Sequence, residues 1–129
     1  MSGEEVVRVL RSIAEAGGRK GFEVEVDEGS KRVVVRSKEC PISVLVAPSN
    51  SGFKVELRVE EGLRDCIEDL LEEDVDPRNE LENIVEELIS IVDLAAKKLA
   101  GIGIEVERST REAVLDVYDT LESFLEEEE

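Results

Sequence analysis

From Phe22 to Val59 apolar residues recur at every second position, in four runs separated by turn-forming residues. Phe22, Val24 and Val26 alternate with Glu23, Glu25 and Asp27. Val33 and Val35 lie inside KRVVVR, Ile42, Val44 and Val46 follow, and Phe53, Val55, Leu57 and Val59 alternate with Lys54, Glu56 and Arg58. A period of two sends successive side chains to opposite faces of a strand, whereas a helix would scatter them around its axis. The pattern therefore demands a sheet with one aliphatic face. Short connections at Glu28-Gly29, Ser37–Pro41 and Pro48–Gly52 make that sheet an antiparallel meander. Taking Glu28-Gly29 as a two-residue turn places Val24 opposite Val33 and Glu25 opposite Arg32, which pairs apolar groups on one face and opposite charges on the other.

The period is 3.6 on either side of this block. Ser2 and Glu5 have capping-box spacing, and Val6, Val7, Leu10, Ile13 and Ala14 follow at helical intervals as far as Gly17-Gly18. After Glu60, Leu63, Cys66, Ile67, Leu70 and Leu71 predict a short amphipathic helix that ends in the acidic segment Glu72–Asp76. Asp76-Pro77 then starts the longest helix, which carries a wide apolar stripe from Leu81 to Leu99 and runs to Ala100. Ile102–Glu107 predicts a fifth strand. Ser109 and Glu112 predict a capping box for a last helix with Val114, Val117, Tyr118, Leu121, Phe124 and Leu125 inward. The fold class is α+β, in the order α-ββββ-αα-β-α, with the helices on the Phe22/Val24/Val35/Val44/Val55/Leu57 face. Residues 1–129 read as one domain, and 126–129 as a frayed acidic tail at the negative end of a helix dipole.

Composition narrows the function classes. The chain has 33 acidic and 16 basic residues, a net charge of −17. That field repels phosphate backbones and anionic membranes, so neither nucleic acid nor membrane is expected as a partner. No apolar run reaches membrane-spanning length, and the acidic N-terminus does not resemble a secretion signal, which together point to a cytoplasmic home. His, Gln and Trp are absent, Asn occurs three times, and Arg outnumbers Lys ten to six. Few thermolabile amides and many ionic groups suggest a thermophilic source.

The chemistry-bearing motifs all read as structure. Gly101-Ile102-Gly103 follows a helix and precedes a strand, the reverse of a phosphate loop, so Gly101 is expected in the left-handed position that ends a helix. Glu72–Asp76 departs from a calcium loop, with Val85 where the bidentate Glu would stand, and reads as helix-start acidity. Cys40 and Cys66 are not spaced as a zinc pair. They read first as buried free thiols, with an intrachain disulfide as the second reading. Neither metal nor cofactor is expected. With no His and no Ser-based constellation, the chain reads away from an enzyme; catalysis would have to come from Lys, Cys, Tyr or carboxylates.

What remains is the outward sheet face. By parity it carries Glu23, Glu25, Arg32, Val34, Arg36, Ser43, Leu45, Ala47, Lys54, Glu56 and Arg58. Val34, Leu45 and Ala47 form an apolar centre inside a charged rim, and with Arg32, Arg36 and Arg58 they are the candidate interface. The expected function is a non-catalytic protein- or peptide-binding module that forms a homodimer. The alternative is a small-ligand-binding protein or an unusual enzyme with a pocket between sheet and helices.

Overall fold

The computed structural model describes residues 3–128, with the side chain of residue 128 outside the description; the Ser2 cap therefore lies outside the described residues. The elements are α1 (Gly3–Arg19), β1 (Glu23–Asp27), β2 (Arg32–Arg36), β3 (Ile42–Pro48), β4 (Phe53–Val59), α2 (Leu63–Glu72), α3 (Pro77–Gly101), β5 (Val106–Ser109) and α4 (Arg111–Glu128). The strands lie in sequence order in one sheet, antiparallel from β1 to β4, with β5 parallel to β4 at the edge. The sheet is thus mixed. The chain leaves β4, passes through α2 and α3, and returns beside β4 in the same direction, as a helical crossover must for parallel pairing.

The aliphatic face is the core. Val33, Val35, Ile42, Val44, Val46 and Val55 have no exposure, and they meet Leu10 and Ile13 of α1 and Leu81, Leu88, Ile91 and Leu99 of α3 within one apolar cluster. Each such side chain contributes roughly 1.5–3 kcal/mol on leaving water. α1 packs on β1, β2 and α3, while α3 packs on β3, β4 and β5. α4 packs against β4, α2 and α3, with Val117, Leu121 and Phe124 inward.

Local chemistry explains where the elements stop and where sequence expectations shift. The first hairpin has a four-residue connection, so Val24 faces Val35, Val26 faces Val33 and Asp27 faces Arg32. The Asp27 carboxylate accepts the Ser30 amide at 3.1 Å, and Lys31 takes a left-handed φ of 58°. That side-chain bond closes a longer turn than a bare Glu-Gly pair would, and it moves the register by two residues. A two-residue shift keeps every side chain on its expected face. Asp76 caps α3, its carboxylate accepting the Arg78 amide at 3.0 Å with Pro77 at the first helical position.

At the other end of α3 the left-handed residue is Gly103, with φ 83°, rather than Gly101, which is the last helical residue. The Ile104 amide donates to the Leu99 carbonyl at 3.1 Å and the Gly103 amide to the Ala100 carbonyl at 3.0 Å. These two bonds form a Schellman cap. The cap takes up Ile102 to Ile104, so β5 begins at Val106, four residues later than the alternation predicts. α4 starts one residue later than its predicted capping box: Ser109 still pairs with Glu56 in the sheet, and the Thr110 carbonyl accepts the first helical amide, from Val114. Residues 126–128, predicted to fray, continue α4, and Glu127 is ion-paired with Arg64, whose guanidinium lies 5.2 Å from the Phe124 ring centre.

Candidate contact surface

All four helices lie on the aliphatic side, so the second side of the sheet is open. Its central row runs Glu25, Val34, Leu45, Glu56 across β1 to β4, as the pairings Glu25–Val34, Val34–Leu45 and Leu45–Glu56 require. One row along lie Glu23, Arg36, Ser43 and Arg58, and on the other side Ala47 pairs with Lys54, which pairs with Glu107 of β5. Arg32 completes β2 opposite Asp27. Val34, Leu45 and Ala47 are half-buried, sheltered by the longer charged side chains around them. Ser43, between Arg36 and Arg58, is the only buried polar residue among those described.

The six residues predicted as an interface, Arg32, Val34, Arg36, Leu45, Ala47 and Arg58, therefore share one continuous face. Lys54 belongs with them and was not singled out, although its parity was readable. On β4, Lys54 lies 3.1 Å and Arg58 3.5 Å from the Glu56 carboxylate, so one acid is shared by two bases. The Lys54 ammonium is held above its ordinary pKa chiefly by its hydrogen bond to Glu56. Arg36 reaches Glu25 at 3.4 Å across the β1–β2 pair. Over the outward faces of all five strands the four bases Arg32, Arg36, Lys54 and Arg58 meet the five acids Glu23, Glu25, Asp27, Glu56 and Glu107, so this face is nearly neutral, at −1, on a chain of net −17.

Cys40 and Cys66 are joined in a disulfide that ties the β2–β3 connection to α2 across 26 residues, in place of the free thiols read first. The first turns of α2 bring the two Cα atoms to 5.5 Å, within disulfide reach, a proximity between distant segments that spacing alone does not reveal. Both cysteines are buried.

The volume between sheet and helices, where a ligand pocket was the alternative expectation, is filled by the fully buried aliphatic side chains named above. The indentations lie on the surface. One of about 430 Å³ sits where the α1–β1 and β2–β3 connections meet α3, lined by Lys20, Phe22, Glu39, Glu80, Asn83 and Glu87 among others. Lys20 and Glu87 form an ion pair across it at 3.8 Å. Beside it the Glu39 carboxyl hydrogen-bonds Glu80, and that bond, helped by partial burial and the neighbouring negative charge, raises its pKa. The acidic run 72–76 is taken up by the end of α2 and the cap of α3, and among the described residues no group of three or more Asp, Glu, Cys or His is placed to hold a metal. No described helix is long and apolar enough to cross a membrane. Comparison with protein-family models, curated proteins and solved structures finds no match for the chain.

Proposed function

We propose that the chain is a non-catalytic protein-binding module that works through the open sheet face and self-associates. The observation that carries this reading is the apolar centre Val34, Leu45 and Ala47 inside a rim of interleaved bases and acids, a nearly neutral face on a chain of net −17. A rim of paired charges around an apolar middle suits a modest protein interface, since the centre supplies burial and the rim supplies register. The reading includes a thermophilic cytoplasm. The amide-poor, ion-rich composition supports it, and a buried disulfide is compatible with the intracellular proteins of hyperthermophiles.

The test is Leu45→Glu. Light scattering at high protein concentration is expected to give a mass above one chain for the wild type and one chain for the variant, with circular dichroism unchanged. If Leu45→Glu associates as the wild type does, the sheet face is not the contact surface.

A further inference from the structure

The two sulfurs of the Cys40–Cys66 bridge differ in reach. Cys40 is 2 % exposed, whereas Cys66 is 7 % exposed and lines a surface cleft of about 260 Å³ between the β2–β3 connection, α2 and the start of α3. The cleft is otherwise lined by Glu39, Asp69, Leu70, Glu73, Val75 and Glu80. Four of these are acids and none is a base, so the charge around Cys66 is of one sign. Among the described residues none of the four acids has an ion-pair partner; Lys20 is held by Glu87 and Arg64 by Glu127. Lys38, next to Glu39 in the chain, lines the neighbouring indentation instead. The Cys66 Sγ also lies 3.1 Å from the Glu39 carbonyl oxygen, the negative end of a backbone dipole.

Thiol–disulfide exchange begins when a thiolate gives an electron pair to one sulfur, so it needs both access and a setting that tolerates negative charge. The cleft supplies access to Cys66 and withholds the second condition. We propose that these acids guard the bridge: exchange enters at Cys66, and thiolates are turned away in order of their negative charge. The attacking thiolate bonds to the Cys66 Sγ, and the S–S bond breaks with its electron pair going to Cys40, which takes a proton from water. A second thiolate attacks the outer sulfur of the mixed disulfide. Cys66 leaves as a thiolate and is protonated, and the two external thiols depart joined and oxidised. The bridge is thereby long-lived against anionic thiols and open to cationic ones. The charge of the reductant, beside its reducing strength, sets how fast the β2–β3 connection is released from α2.

Reduction of the full chain by mercaptoacetate, mercaptoethanol and cysteamine tests the guard. The three are alike in size, and their thiolates carry two, one and no net negative charges. Rates are read by mass after alkylation, per thiolate, and relative to the same thiol's rate with the neutral hydroxyethyl disulfide. At low salt cysteamine is expected to react about tenfold faster than mercaptoacetate, with mercaptoethanol between them. About 0.5 M salt should bring the three rates together. Asp69→Asn/Glu73→Gln, at two exposed positions, is expected to raise the mercaptoacetate rate about threefold and to leave the cysteamine rate unchanged. With limiting cysteamine and an acid quench, peptide mapping should find the first mixed disulfide on Cys66. Equal rates for the three thiols, or an order that survives both salt and the double variant, overturn the guard. A mixed disulfide on Cys40 overturns the route. A rate independent of thiol concentration means that the bridge is reached only through unfolding, and overturns both.

Discussion

Val44 and Leu45 are neighbours on β3, both aliphatic, and they lead opposite lives. Val44 is fully buried between Val35 and Leu57, beneath the helices; Leu45 is half-buried between Val34 and Glu56, among charges on the open face. The difference comes from the helices, all of which settle on one face. Hydrophobicity alone does not separate core from open face here. What separates them is the company each side chain keeps: aliphatic neighbours in every direction on one face, alternating charges on the other.

The sharpest way to break that comparison is to put the same kind of charge on each side. Val44→Asp buries a carboxylate among aliphatic groups with no partner, a cost on the order of 4 kcal/mol or more. It is expected to leave the chain unfolded by circular dichroism and chemical denaturation. The charge in Leu45→Glu stays in reach of water, although it stands opposite Glu56, so its expected effect on unfolding free energy is no more than about 1 kcal/mol. Equal losses for the two would show that the outward face is covered after all.

The next effect in size belongs to the disulfide, which ties the connection between β2 and β3 to the helical layer. Closing a 26-residue loop restricts the unfolded chain by about 3.5 kcal/mol on the chain-entropy account. Reduction, or Cys40→Ala/Cys66→Ala, is therefore expected to lower Tm by roughly 14 °C, at about 4 °C per kcal/mol for a chain of this size. The inward face is held by the staple and Leu45 is not, so association through the outward face should survive reduction below the new Tm. Smaller still is the expected change for Gly52→Ala. A Cβ there would run into the Glu105 carbonyl, which accepts the Phe53 amide at 2.9 Å where β5 approaches β4. A loss of roughly 1–3 kcal/mol, read from denaturant midpoints, is expected from forcing that edge apart.

Much of this contrast was legible in the sequence, and unevenly so. Strands β1 to β4 and both their faces follow from alternation, because parity is local and survives even the two-residue register error at Asp27–Arg32. The parallel placement of β5 rests on pairing Phe53 with Val106 across two intervening helices, and nothing near Val106 encodes it. Ile102 and Ile104 look like strand residues because a Schellman cap also favours apolar contact across the helix end. The disulfide stood second to free thiols for the same reason, being a meeting of distant segments. The candidate interface residues could be placed on one face from parity, but their openness depends on where the helices pack.

The smallest expected effect concerns pH and comes from neither face of the sheet. Among the described residues no ionisable side chain is buried, so the pH dependence of stability has to arise at the surface. The Glu39–Glu80 pair at the α3 cleft is one place for it. The hydrogen bond that the protonated Glu39 carboxyl donates to Glu80 raises the pKa of Glu39 in the folded chain, with desolvation and the Glu80 charge adding to the rise. The folded state then holds this proton more tightly than the unfolded chain does. The pair's stabilisation is accordingly complete below the ordinary carboxyl range and is lost as pH rises through the raised value of Glu39. Above that value the Glu39 carboxylate meets the Glu80 charge without the hydrogen bond. Glu80→Gln removes that repulsion, so Tm is expected to rise slightly at pH 7 and to match or fall below wild type near pH 4. Glu39 is exposed and Glu80 half-buried, so solvent screening keeps the change small. A Tm difference that does not reverse between the two pH values would mean the carboxyl groups do not share a proton. The same substitution should leave sedimentation at pH 7 unchanged, because Glu80 lies on the helical side of the sheet and the association is assigned to the other.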